Sequence, residues 1–154
     1  MNAPTKPLRV MFLCTGNSCR SQMAEGWAHH LLDDTFETCS AGTDPQGVNP
    51  FAIQAMNESG IDISENKSQG IDSCNPKTLD YVITVCGHAN ENCPVFLKQS
   101  KQTRILHHGF DDPPALAQGA SSKEEKMSHY RRVRDEIKEF VEHLPALLND
   151  LNKD

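Results

Sequence analysis

The sequence has no long apolar run. Near its N-terminus only Val10 to Cys14 are consecutively apolar, five residues, too few for the core of a secretion signal and far too few to cross a bilayer. A cytoplasmic location and no membrane partner are therefore expected. Basic clusters are missing too. Against 15 Lys and Arg stand 21 Asp and Glu, a formal net charge of −6, and no local Lys/Arg-rich run reverses that balance, so no nucleic-acid partner is expected. A small anionic ligand must then be held by a local device. Repeats and a second domain are also absent. At 154 residues the chain is expected to be a single domain over 1–154, its core between about 8 and 144, and a monomer. That length buries a core without disulfides or a structural metal.

What the chain does have is six cysteines. In a reducing cytosol they are not a disulfide framework, which leaves thiol catalysis, metal binding and inert burial.

Strand-like and helix-like segments alternate along the chain. Leu8 to Leu13 is apolar and β-branched, and the next apolar residues, Met23, Ala24, Trp27, Ala28, Leu31 and Leu32, recur at helical spacing. A second extended stretch covers Phe36 to Ala41. A helix is predicted from Pro50, a good first helical residue, to Ser59, where Gly60 stops it. Tyr81 to Val85 is the clearest buried strand, and Thr103 to His107 the last. Apolar residues from Met127 to Leu148 at three-four spacing mark a long amphipathic helix, which Pro145 is expected to end or kink near His143. The loop Pro113 to Ser122 is rich in Pro, Ala, Gly and Ser. The alternation predicts an α/β fold with a four-stranded parallel sheet flanked by helices, and ligands beyond the C-terminal strand ends. Cys14, Cys86 and the turn Phe110-Asp111-Asp112-Pro113 each follow a predicted strand and so share one sheet edge.

The segment Cys14-Thr15-Gly16-Asn17-Ser18-Cys19-Arg20-Ser21 joins the first strand to the first helix. Gly16 and Asn17 adopt left-handed angles cheaply, so successive N–H groups of Thr15 to Ser21 can form a cradle for a tetrahedral anion. The helix start near Arg20 adds its positive end, which favours the anion and the Cys14 thiolate. Arg20 offers a planar fork for two anion oxygens, and Ser21 can donate a hydrogen bond to the thiolate. The pattern describes an anion-binding nucleophile.

The string VMFLCTGNSCRSQMAEGWA, with the later SAG, NP, DIS and FDDP segments, resembles the arsenate reductases that share the low-molecular-weight protein tyrosine phosphatase fold. The likeness runs from Leu8 to about Val141. The nucleophile loop does not by itself separate reductase from phosphatase, because both use one. A thiophosphate ester is hydrolysed by water and needs one cysteine, whereas an arseno-thioester is broken at sulfur by a second thiol, which releases arsenite. The resemblance implies that Cys86 resolves the adduct on Cys14 and passes the disulfide to Cys93. It also implies arsenate as substrate, thioredoxin as the partner that supplies reducing equivalents, no tightly bound cofactor, and a role in arsenic detoxification.

Residues seven apart in a helix lie about 10.5 Å apart along its axis, and a disulfide needs α-carbons within about 7 Å. Any helix between Cys86 and Cys93 must therefore unwind on oxidation. A zinc site built from Cys86, His88, Cys93 and Cys74 fits no common structural pattern; no metal is expected. The resemblance assigns Asp112, directly before Pro113, the general-acid position. Pro114 and Ala115 follow where the phosphatases carry aromatics that clamp a tyrosine ring. Some relatives hold a monovalent cation at positions matching Asn17, Glu25, Ser40 and an aspartate, and Gln69 stands at the last of these. Cys19 is read as a packed spacer, Cys39 and Cys74 as structural thiols, and Arg131, Arg132 and Arg134 as a solvated helix face.

Overall fold

A computed structural model describes residues 7–85 and 103–151. Its elements run β1 (Leu8–Cys14), α1 (Arg20–Leu31), β2 (Phe36–Gly42), α2 (Pro50–Glu58), two short 3-10 turns (Ile71–Cys74 and Pro76–Thr78), β3 (Tyr81–Thr84), β4 (Arg104–His107), α3 (Pro113–Ala117) and α4 (Lys123–Leu151). The strands form one sheet in the order β2-β1-β3-β4, and every neighbouring pair is parallel. The expected α/β class and sheet are thus present.

Strand β1 is central because its residues can only be buried: Val10, Met11, Phe12 and Leu13 are wholly inaccessible. Each such side chain contributes on the order of 1.5–3 kcal/mol through burial. Alternation along β2 splits its side chains between two faces. Ser40 meets α1 through Glu25, its Oγ donating to Oε1 at 2.7 Å, while Cys39 meets the first 3-10 turn. Helices α1, α2 and α4 pack together. Trp27 Nε1 of α1 donates to the Arg134 carbonyl at 3.1 Å, and α4 buries Met127, Tyr130, Val133, Ile137, Val141, Leu144 and Leu148.

Asn49 caps α2, its Oδ1 accepting from the Phe51 and Ala52 amides, and Pro50 sits at the first helical position as expected. The same side chain donates through Nδ2 to the Tyr130 hydroxyl at 3.1 Å. Burial, with the nearby Cys19 thiol, pushes the Tyr130 phenol up to about 12. It stays neutral.

Three expectations need correction. Pro145 lies inside α4, which continues to Leu151. A proline removes one intrahelical bond, and here the buried Leu144 and Leu148 on either side hold the helix to the core and offset that loss. The Pro113 to Ser122 stretch is not all loop, because Asp112 and Pro113 start α3. Arg134 is not solvated: its side chain is 12 % exposed, and Nη1 donates to the Ala55 carbonyl at 2.9 Å and to Glu58 Oε1 at 3.1 Å. Arg131 also binds Glu58, so two arginines of α4 clamp the end of α2.

Candidate active site

The loop from Cys14 to Cys19 is shaped by what holds its carbonyls. The carbonyl of Cys14 accepts from the Thr43 amide, that of Thr15 from Asp44, that of Gly16 from Gln46, and that of Ser18 from Asn49. The Asn17 carbonyl accepts from Ser68 Oγ at 2.6 Å and Gln22 Nε2 at 3.2 Å. With these carbonyls turned outward, planar peptides turn the amides the other way, the arrangement that an anion cradle requires. Asn17 supplies the left-handed step at φ +46°, and Gly16, expected to share it, does not have a positive φ. Gly42 allows the close packing behind it, since a Cβ there would stand 2.6 Å from the Thr15 carbonyl oxygen and 2.7 Å from the Asn17 nitrogen.

Cys14 ends β1, and its Sγ lies 2.8 Å from Ser21 Oγ. Asn17 Nδ2 donates to that same Oγ at 2.9 Å. With that amide donated to it, Ser21 Oγ keeps one proton and one lone pair for Cys14, so it can donate to a thiolate or accept from a thiol. Asn17 is in turn fixed by donors to its Oδ1, Gln22 Nε2 at 3.0 Å and the Gln69 amide at 2.9 Å. Asn17 and Ser21 are fully buried.

Cys14, Thr15, Gly16, Ser18, Cys19 and Arg20 line a half-open cavity of about 290 Å³ together with Asp112 and Pro114. Arg20 donates through Nη1 to the Phe110 carbonyl at 3.0 Å and stands 3.6 Å from Asp112 Oδ1. The 110–113 turn and the Cys14–Ser21 loop therefore meet, as their shared sheet edge leads one to expect. Burial pushes the Cys19 thiol far up, against the smaller opposing effect of Arg20. It remains a neutral thiol and a packed spacer.

Cys86 and Cys93 lie outside the described residues. The reading of Cys39 and Cys74 as structural thiols is corrected: the two are joined as a disulfide, with α-carbons 6.2 Å apart. That pairing also occupies the Cys74 of the zinc alternative. Gln22, Ser68 and Gly42 shape the loop without carrying a site signal of their own in the sequence; Gln22 and Gly42 stand inside the quoted VMFLCTGNSCRSQMAEGWA and SAG segments, Ser68 in neither.

The family model for the low molecular weight phosphotyrosine protein phosphatases matches residues 9–154. The chain belongs to this family. Within it, similar relatives carry another activity in their names. An arsenate reductase of Halalkalibacterium halodurans is 53% identical over 128 residues, 83% of this chain and 88% of the relative. One of Bacillus subtilis is 51% identical over 137 residues, 86% and 94% of the two chains. A solved arsenate reductase in its phosphate-binding state superposes with a TM-score of 0.74 at 36% identity, over 90% of this chain and 97% of the other.

Proposed function

We propose that this protein is an arsenate reductase in which Cys14 attacks arsenate, Cys86 resolves the adduct, Cys93 takes over the disulfide, and thioredoxin reduces it. The observation that carries the reading is Cys14 lining a small cavity, its sulfur 2.8 Å from a serine hydroxyl, in a loop whose carbonyls are turned outward. The named relatives and the two cysteines after β3 favour reduction over hydrolysis.

The steps follow from the parts. The cradle of Thr15 to Ser21 and the Arg20 fork bind the oxyanion, and the thiolate displaces one arsenic oxygen as hydroxide or water, forming a sulfur–arsenic bond. Asp112, beside Arg20, supplies a proton to the departing oxygen. A Cys86 thiolate then attacks Cys14 Sγ. The sulfur–arsenic bond breaks with its electron pair on arsenic, giving arsenite and a Cys14–Cys86 disulfide. Attack by Cys93 on Cys86 frees the Cys14 thiolate, and a thioredoxin dithiol reduces the Cys86–Cys93 bond by two electrons.

The test is NADPH oxidation with thioredoxin and its reductase, with and without arsenate. An arsenate-dependent rate that vanishes in both Cys86→Ser and Cys93→Ser supports the proposal. No arsenate-dependent rate, with the reductant system shown to be active, sinks it. The second reading is aryl phosphate hydrolysis, favoured by Asp112 next to Arg20; it would survive both substitutions. Pro114 at the cavity wall, where an aromatic clamp is expected of a phosphotyrosine enzyme, weighs against it.

A further inference from the structure

The Cys39–Cys74 bond stands apart from the Cys14 cavity yet reaches it through a continuous set of contacts. Gln69 Nε2 lies 3.8 Å from Cys74 Sγ and donates to the Ser40 carbonyl at 2.9 Å. The Gln69 amide donates to Asn17 Oδ1, Asn17 Nδ2 to Ser21 Oγ, and Ser21 Oγ meets Cys14 Sγ. The neighbouring backbone is tied the same way, with Gly42 donating to the Gln69 carbonyl and Ser68 Oγ to that of Asn17. The bond therefore anchors, to β2, the very segment that orients Asn17.

We propose that Cys39 and Cys74 are a second redox site, whose closed form positions Gln69 and Asn17 so that Ser21 donates to the Cys14 thiolate, and whose opening weakens that donation. The α-carbon separation of 6.2 Å suits a disulfide. Access is one-sided: Cys39 is half-buried and Cys74 is 2 % exposed. A peroxide oxidises the Cys39 thiolate to a sulfenic acid with loss of hydroxide, and the Cys74 thiol then closes the bond and releases water. In the other direction a dithiol attacks Cys39 Sγ, Cys74 leaves as a thiolate beside the Gln69 amide and takes up a proton, and the reductant closes its own disulfide. In a reducing compartment such a bond is transient and regulatory. Cys39 and Cys74 are positioning residues here and touch no substrate.

The inference rests on Cys14 being the nucleophile but not on which oxyanion it attacks, so its test needs no turnover. The parent is the full chain carrying Cys86→Ser and Cys93→Ser. Its 39–74 bond is closed with limited hydrogen peroxide, phosphate filling the loop to shield Cys14, or opened with dithiothreitol, and peptide mapping scores the bond. After phosphate is removed, Cys14 alkylation by iodoacetamide is followed against pH. Opening the bond is expected to raise the midpoint by about half a unit to one unit, a roughly three- to tenfold loss of thiolate below it. Gln69→Leu with the bond closed should shift it the same way, and Cys39→Ala/Cys74→Ala should show the high midpoint whatever the treatment. If that pair fails to fold, the dithiol-opened parent stands in for it. Failure of the bond to form, or one midpoint in both states, overturns the proposal. Loss of arsenate reduction with these midpoints intact would count against the proposed function and leave this inference standing.

Discussion

Behind Cys14, Asn17 and Ser21 are fully buried and every polar atom named there has a partner in the loop, α1 or the 67–70 segment. In front of it, Arg20 and Asp112 face each other across 3.6 Å, and the Asp112 side chain is 45 % exposed. The rear is built to hold one geometry, because unpaired polar groups there would cost about 1–3 kcal/mol each. The front is held less tightly: the Arg20 side chain is 15 % exposed and tied to the Phe110 carbonyl, while Asp112 is open to solvent. On the proposed function, preorganisation of the nucleophile and accommodation of the ligand are thus divided between two sides of one sulfur.

Substitutions can break that division. The largest effect is expected at the shared atom: Cys14→Ser should lower arsenate-dependent NADPH oxidation by on the order of 10⁴-fold or more, while circular dichroism stays that of the folded chain. At the rear, Asn17→Ala strips the donor from Ser21 and strands the Gln69 amide. A loss of about 10²- to 10³-fold in kcat is expected, with a lower melting temperature. At the front, Asp112→Asn should cost about 10²-fold or less and leave the melting temperature unchanged. If the front variant destabilises the fold more than the rear one, the division is wrong.

The smallest expected effect marks the periphery. Arg131 and then Arg134 hold the Glu58 carboxyl below the usual glutamate range. A depressed folded-state pKa contributes stability that is present above the unfolded value and is lost as pH falls through the folded one. Glu58→Gln should therefore lower the melting temperature by only about 1–2 °C at pH 7. That gap should close as the pH drops below about 4, and thermal melts at the two pH values read it directly.

Much of this was legible in the residues. The β1–loop–α1 unit was readable because its signals are local: an apolar run, a permissive Asn17, then helical spacing. The sheet followed from alternation. The rear of the site did not, because Ser68 and Gln69 reach Asn17 from some fifty positions away, and nothing in a polar stretch announces which loop it will support. Cys39 and Cys74 were opaque for the same reason: 35 positions apart, they meet only once β2 and the first 3-10 turn are in place. Pro145 shows the opposite failure. There a correct local rule yields to the burial of Leu144 and Leu148. At α3 the start signal, Asp112 followed by proline, was present but masked by the low-complexity composition around it.

The most direct measurement traps the chemistry on the nucleophile. Cys93→Ser protein, reduced and then treated with arsenate, is mapped by mass spectrometry for its disulfides while arsenite is counted. The account predicts one Cys14–Cys86 bond and one arsenite per chain, both dependent on arsenate. Folded protein that forms no arsenate-dependent bond at Cys14, or that makes arsenite without it, would contradict the account.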